Sequence, residues 1–466
     1  MPILLVSSCD LCRIVADNLT RQASIGVSTL AIGVNTLNSD AGKGNYARLV
    51  LLHDNVGKVL VLLPAAKLLN LVSIWRETER HLQPVKGDDV KRFFSQNKLL
   101  SREGQQKLFS LPLFIDSAFE DQDMLDVIEP YSSLRFTADR SWYVASMRSI
   151  RMGLSVSDIE NVQPQGDDET VITHAVERFT ALRIRQRLED TLGLPSLAPT
   201  TQKIIMLRSD PAAGVDRLVP VVKVDPSLSA QVMSWSVSPY YAAPGSIQSI
   251  DDAIIRVLGF DLVVNLALGI AMGKTLNLPE DTPRNQTPYW QQAVYTATLA
   301  ERLAKKMPGD IRPKPGLVYL AGLLHNFGYV VLAHLFPPHF SLLSRYIEAN
   351  PHLRLDYIEK HILHVTREQV GAWLMESWSL PKEIYNGVRY LNDPLNPKAD
   401  AYAQLIHLAN HALRQNGWAD GPVEEALDCD VLAITGLTQA QITEEIERMQ
   451  DDSDVLQDFS DSLASH

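Results

Sequence analysis

Residues 225–233 read AspProSerLeuSerAlaGlnValMet and residues 249–260 read SerIleAspAspAlaIleIleArgValLeuGlyPhe; with GlyLeuLeuHisAsnPheGly at 322–328 they decide the architecture of most of the chain. Around these stretches, almost every segment beyond residue 169 repeats its apolar residues at intervals of three and four. Ala175, Phe179, Leu182 and the run from Ile184 to Leu188 do so, as do Val294, Leu299 and Leu303 within 290–307. That is the period of an amphipathic helix, so the larger part of the chain is expected to be all-helical. Prolines at 195, 199, 211, 226, 239, 244, 279, 283 and 288 fall between the periodic stretches, where they start or end helices.

Upstream the pattern changes. ArgLeuValLeuLeuHis at 48–53 and LysValLeuValLeuLeu at 58–63 flank AspAsnValGly, which reads as two strands and a hairpin turn. Leu111 to Ile115 reads as a third buried strand. GlnProGlnGlyAspAspGlu at 163–169 combines proline, glycine and acids, the chemistry of a linker. The organisation expected is therefore two-domain: a mixed α/β region over 1–155, a linker and connecting helix over 156–186, an all-α region over 187–440 and an acidic tail over 441–466. The tail carries eight acids from Glu444 to Asp461 against Arg448 alone, and after one helix it is expected to be solvated.

A chain of 466 residues with 45% hydrophobic and 21% charged residues is an ordinary globular composition, long enough for two or three domains. No apolar run reads as a spanning helix, and the first residues lack the basic flank of a signal peptide, so a cytoplasmic location without membrane attachment is expected. Three cysteines exclude a disulfide framework. Cys9 and Cys12 form a CxxC without a second pair, which reads as structural rather than redox or zinc chemistry. Residues 1–153 carry 18 Lys and Arg against 16 Asp and Glu, and the remainder 25 against 39. The acidic body disfavours nucleic-acid binding, leaving only the first third as a surface for RNA.

The stretches quoted first resemble the HDOD family, the helical HD-related output domain of bacterial signalling proteins. LeuProSerLeuAlaPro at 194–199, GlnValGlyAlaTrpLeu at 369–374, TrpSerLeuProLysGluIle at 378–384 and HisLeuAlaAsn at 407–410 complete the likeness over roughly 187–420. The resemblance implies an HD-like helical fold that works as a signal-output module on other signalling proteins. The parent HD superfamily hydrolyses phosphate esters with a metal held by His, a HisAsp pair and a later Asp. Carried onto this chain, those positions are Gln292, His325, Asn326 and Asn410. Three amides and one imidazole offer no anionic donor, so neither a catalytic metal nor any other cofactor is expected. His361 and His364, three apart on a helix, are the alternative place for a rebuilt metal site.

ValLeuLeuProAlaAlaLysLeuLeuAsnLeu at 61–71 and LeuProLeuPheIleAspSerAlaPhe at 111–119 resemble the YbaK-like family of aminoacyl-tRNA deacylases over about 20–155. That resemblance implies a pocket for a tRNA or aminoacyl ligand. The family's first-strand Lys falls on Arg48, whose fork differs from an ammonium. Its glycine-rich loop reads LysLeuLeuSerArgGluGly at 98–104, keeping only Ser101 and Gly104. Lys91, Arg92, Lys98, Arg102 and Lys107 supply positive charge nearby. The expectation is a non-catalytic signalling protein with a degenerate sensor or docking domain. A regulated deacylase is the first alternative and a metal-dependent phosphohydrolase the weaker one.

Overall fold

The computed structural model describes residues 46–464 apart from 99–100, 109–110, 120–122, 133, 140–148, 158, 160–166, 181–198, 211, 238–246, 274–277, 285 and 425. Cys9, Cys12 and most of the 163–169 stretch lie outside the described residues.

The two apolar runs around AspAsnValGly form strands β1 (Tyr46–His53) and β2 (Lys58–Pro64), paired antiparallel from Ala47 opposite Pro64 to His53 opposite Lys58. The turn is held by Asp54, whose Oδ1 accepts from Val56 N at 2.9 Å and Gly57 N at 3.0 Å. The expected third strand is β3 (Leu113–Asp116), parallel to β2. With β4 (Met124–Glu129), β5 (Leu134–Asp139) and β6 (Ser149–Met152) the mixed sheet runs β5-β4-β1-β2-β3-β6.

Side chains alternate across a strand, and here both faces are buried, which is why the runs are apolar throughout. Leu49, Leu51, Leu60 and Leu62 pack with Val90 and Phe94 of α2 (Gly87–Gln96) and Leu108 of α3 (Arg102–Leu108). Val50, Leu52, Val61 and Leu63 face the other way. They join Leu71 and Ile74 of α1 (Leu71–Thr78) in an apolar core that continues without a break into the helical region.

Beyond Asp168 the described regular elements are all helical, beginning with α4 (Asp168–Phe179). Helices Pro199–Ser209, Val215–Val224 and Pro226–Ser236 follow, then a π-helical turn, Ala253–Leu258, leading into Gly259–Gly273. Pro199 and Pro226 start helices as their positions predict, whereas Pro220 lies inside one. The centre is α5 (Tyr289–Lys306), packed along α6 (Pro315–Leu324), α11 (Ala401–Gln415) and α13 (Ser453–Ala464). Between α6 and α11 lie α7 (Phe327–Leu335), α8 (Pro337–Ala349), α9 (Leu355–Leu363) and α10 (Arg367–Ser377).

Two expectations are corrected. The acidic end is not solvated: α12 (Gln439–Asp451) and α13 bury Ile442, Ile446, Met449, Leu456 and Leu463, and Phe459 meets Trp235 with ring centroids 5.6 Å apart. Its acids pair with basic residues of α5, Arg302 with Asp452 at 2.6 Å and Lys306 with Glu444 at 3.1 Å. Counting charges without their phase hid an apolar stripe at helical spacing. The second concerns Pro315–Leu335, long and apolar enough to cross a membrane by length and composition. It is instead a central element of the core, 89% buried and split at His325 and Asn326 between α6 and α7.

Candidate functional site

The four positions carried over from the HD resemblance converge. Gln292 comes from α5, His325 and Asn326 from the break between α6 and α7, and Asn410 from α11; together they line one cleft of about 40 Å³. Each side chain already has a partner. Gln292 Nε2 donates to Asp420 Oδ2 at 2.6 Å and to Thr287 O at 3.0 Å. His325 Nδ1 lies 2.7 Å from the carbonyl of Gly322, to which it donates, and burial pushes the imidazole down to about 4, so the ring is neutral at pH 7. Asn326 Oδ1 accepts from Arg367 Nη1 at 2.8 Å, and Asn410 Oδ1 accepts from Thr296 Oγ1 at 2.8 Å.

Six of the remaining lining residues are charged, and none was singled out in the sequence. Arg354 grips Asp356 with Nε at 3.1 Å and Nη2 at 2.7 Å. Arg367 is fixed by Glu359, which accepts from its Nε at 2.5 Å and its backbone N at 2.9 Å. Glu368 accepts from Asn392 Nδ2 at 3.0 Å; burial, then the neighbouring Glu359 and Asp356, push its carboxyl up to about 7. Arg414 donates from Nε to the carbonyl of Asp420 at 2.9 Å, and burial lowers it from its ordinary value. One local signal for this set was present in the sequence: Thr366 and Gln369 form a capping box, which fixes the start of α10 and so the placing of Arg367 and Glu368.

The spacing of the glycines also has a local cause. Gly328 of α7 and Gly371 of α10 meet backbone to backbone, and a Cβ on Gly328 would stand 1.8 Å from Arg367 O and 2.9 Å from Gly371 N. The crossing seats Arg367 beside Asn326. The pair His361 and His364 is not joined by a third ligand: among the described residues no three His, Cys, Asp or Glu side chains converge on a metal position. His364 instead stacks on Phe179, centroids 5.6 Å apart.

The residues proposed for the first region are not brought together. Strand alternation puts Arg48 on the face of β1 turned towards the helices, where it is fully buried. Its Nη1 donates to Ala349 O at 2.5 Å and its Nη2 to Asn350 Oδ1 at 2.9 Å and Lys67 O at 3.2 Å. Burial without a carboxylate partner pushes the guanidinium down to about 9, still charged at neutral pH. Gly104 belongs to α3, on the opposite face of the sheet, and Ser101 immediately precedes this helix. Ser101 Oγ caps that helix by accepting from Gly104 N at 3.0 Å, and a Cβ on Gly104 would stand 2.2 Å from Lys98 O, so both have local structural tasks. Lys91 and Arg92 are exposed on α2 and pair with Asp88 and Asp89 one turn away.

A helical bundle with a polar, charged cleft at its centre, joined to a mixed sheet, is the class this fold and cleft define. Residues 194–394 match the HDOD domain. Over 97% of its length the chain is similar to a solved structure from Marinobacter aquaeolei VT8, a protein named for signal transduction, at 35% identity with a TM-score of 0.81 and 99% of that chain covered. The chain belongs to this family of HDOD-domain proteins. An HDOD domain protein of unknown function from Geobacter sulfurreducens shares the fold of the helical part, with a TM-score of 0.50 and 21% identity over 63% of this chain and 98% of its own. An uncharacterized protein of Treponema pallidum (strain Nichols) is 27% identical over 244 residues, 52% of this chain, and the chain spans 45% of that relative's length.

Proposed function

We propose that the protein is a non-catalytic signal-transduction protein of the cytoplasm. In this reading the HDOD helices present an output surface to other signalling proteins, and the α/β region is a sensor or docking part joined to them. The observation that carries it is the state of the cleft. Gln292, His325, Asn326 and Asn410, which the HD resemblance puts at the ligand positions, are each hydrogen-bonded within the protein, with Arg354, Arg367 and Arg414 beside them. A divalent cation needs anionic or strongly basic donors, and guanidinium groups repel it. The likeness to the Marinobacter protein supports the signalling assignment.

The YbaK-like character of the first region rests on its sequence resemblance. A deacylase would need Arg48 beside the scissile ester, and Arg48 is engaged with the end of α8. The region therefore serves this reading as a docking part, with tRNA or an aminoacyl group as the ligand that resemblance suggests.

The test is twofold. Protein purified without chelator should carry no stoichiometric transition metal and should release phosphate from generic phosphoesters at the rate of the blank. Mischarged tRNA incubated with it should lose its amino acid no faster than in buffer. Near-stoichiometric manganese, iron or zinc accompanied by turnover would replace this reading with the phosphohydrolase, and ester hydrolysis above blank would replace it with the deacylase.

A further inference from the structure

We propose that the cleft between α5, α10 and α11 has changed the sign of its ligand and binds a phosphate-type oxyanion, held by the terminal nitrogens of Arg414 and the side-chain amides of Asn326 and Asn410.

The argument starts from what an amide does in place of a carboxylate. A carboxylate offers only acceptors, whereas an amide offers one acceptor and two N–H donors. Here the acceptors are used inside the protein, Asn326 Oδ1 by Arg367 and Asn410 Oδ1 by Thr296. Among the described residues neither Nδ2 meets an acceptor, although both residues line the cleft. Arg414 is in the same position. Its Nε is spent on the carbonyl of Asp420, Gly421 lies against its guanidinium, and no acceptor among the described residues takes up its two terminal nitrogens. Arg367, only 6% exposed, keeps Nη2 buried and unpartnered.

The carboxylates of the lining form hydrogen bonds elsewhere, although Glu424, Asp356 and Asp420 stand near enough to Arg414 to favour its charge. Asp356 is held by Arg354, Glu359 by Arg367, and Asp420 by Thr287 N at 2.9 Å together with Gln292. Glu368, with its carboxyl pushed up to about 7, keeps its proton over part of the neutral range and then adds a donor rather than a charge. Glu424, whose Oε2 is 4.0 Å from His411 Nδ1, is exposed. Guanidinium and amide donors converging on a partly dry cleft are the means by which proteins hold phosphate oxygens. A cleft of about 40 Å³ has room for a few atoms and not for a nucleoside, so the ligand is either the free ion or the terminal phosphate of a larger molecule entering from the mouth.

The experiment uses the full chain with chelator present, so that product bound through a metal cannot imitate the effect and the outcome is separate from the question of catalysis. Thermal unfolding is followed against inorganic phosphate, against a simple phosphomonoester and against chloride at matched ionic strength. A saturable rise in Tm of about 2 °C at ten times Kd is expected with phosphate and not with chloride. Asn410→Asp, which keeps the acceptor for Thr296 and puts a negative charge on the cleft, should abolish it, as should Arg414→Gln. Broadening of the phosphate ³¹P resonance by wild type and its absence with Asn410→Asp gives a readout independent of stability. A response to inorganic phosphate alone identifies the free ion, and a response to both identifies a phosphate group on a larger ligand. No difference from chloride, or a rise undiminished in Asn410→Asp, would overturn the proposal.

Discussion

Arg48 on the first strand and Asn350 at the end of α8, 302 positions apart in sequence, are joined by a buried hydrogen bond of 2.9 Å, while the second terminal nitrogen of Arg48 meets the carbonyl of Ala349 at 2.5 Å. A strand thus caps a helix of the other region. The last carbonyls of a helix lack intrahelical donors and carry the negative end of its dipole, so a guanidinium is a suitable partner. The same seam holds Tyr346 Oη donating to Asn70 Oδ1 at 2.8 Å, Leu69 N donating to Asn350 Oδ1 at 2.7 Å and Tyr131 Oη donating to Glu348 O at 2.6 Å.

Replacing Arg48 by Met fills the volume but leaves the carbonyl of Ala349 without its donor. Arg48→Met should lower the stability of the full chain by about 2–4 kcal/mol, through unsatisfied buried acceptors and lost packing. Urea unfolding measures this. A change within about 0.5 kcal/mol would mean that the seam contributes little to stability.

The seam should also outlast a cut in the chain. With a specific protease site inserted between Gln165 and Gly166, cleavage is expected to give two pieces that elute together and unfold in one transition. Their separation on gel filtration under native conditions would show that the covalent joint, rather than the seam, holds the two regions side by side.

Acid should loosen the same place. His352 is buried next to Arg48, and burial, then the Arg48 charge, hold its imidazole well below its ordinary range against a weaker backbone contact with Lys67. The unfolded ring takes up a proton as the pH falls below about 6.5 while the folded ring does not. Its contribution to stability is therefore complete above that pH and is lost on acidification at about 1.4 kcal/mol per pH unit. His352→Phe should lose about 2 kcal/mol less than wild type between pH 7 and pH 5. Equal losses in the two proteins would remove His352 from the account; taking the difference within each protein cancels the titration of the other buried histidines and carboxyls.

Gly328→Ala should be among the most damaging small substitutions. Its Cβ would collide with Arg367 O and the backbone of Gly371, so α10 must shift away from α7, and the expected cost is about 3 kcal/mol or more. Thermal unfolding checks it, and an unchanged Tm would contradict the tight crossing.

Much of this was legible in the chain, and what was not has a common cause. The hairpin of β1 and β2 followed from AspAsnValGly between two apolar runs, and the helical region from its period and its separated stretches, whose Gly328 and Gly371 turn out to be a contact between helices. His325 and Asn326 were found through the same stretch. The remainder depended on phase or on distant partners. Arg48 reads as a cation near the start of a strand, and nothing local says that its acceptors lie three hundred residues away. Arg354, Arg367 and Arg414 carry no local mark of the cleft, because burial is a tertiary property. The acids of α12 and α13 read as a tail until their spacing relative to Ile442, Ile446 and Leu456 is considered.

The capped end of α8 also bears on how this HDOD unit could be moved between proteins. Its Asn350, Tyr346 and Glu348 spend polar groups on the sheet, so a fragment beginning near residue 187 would carry a raw scar where Arg48, Leu69 and Tyr131 had been. Grafted behind a different sensor, the helices would need a substitute for that strand, and a designer borrowing them should take residues 46–156 along or resurface the scar first.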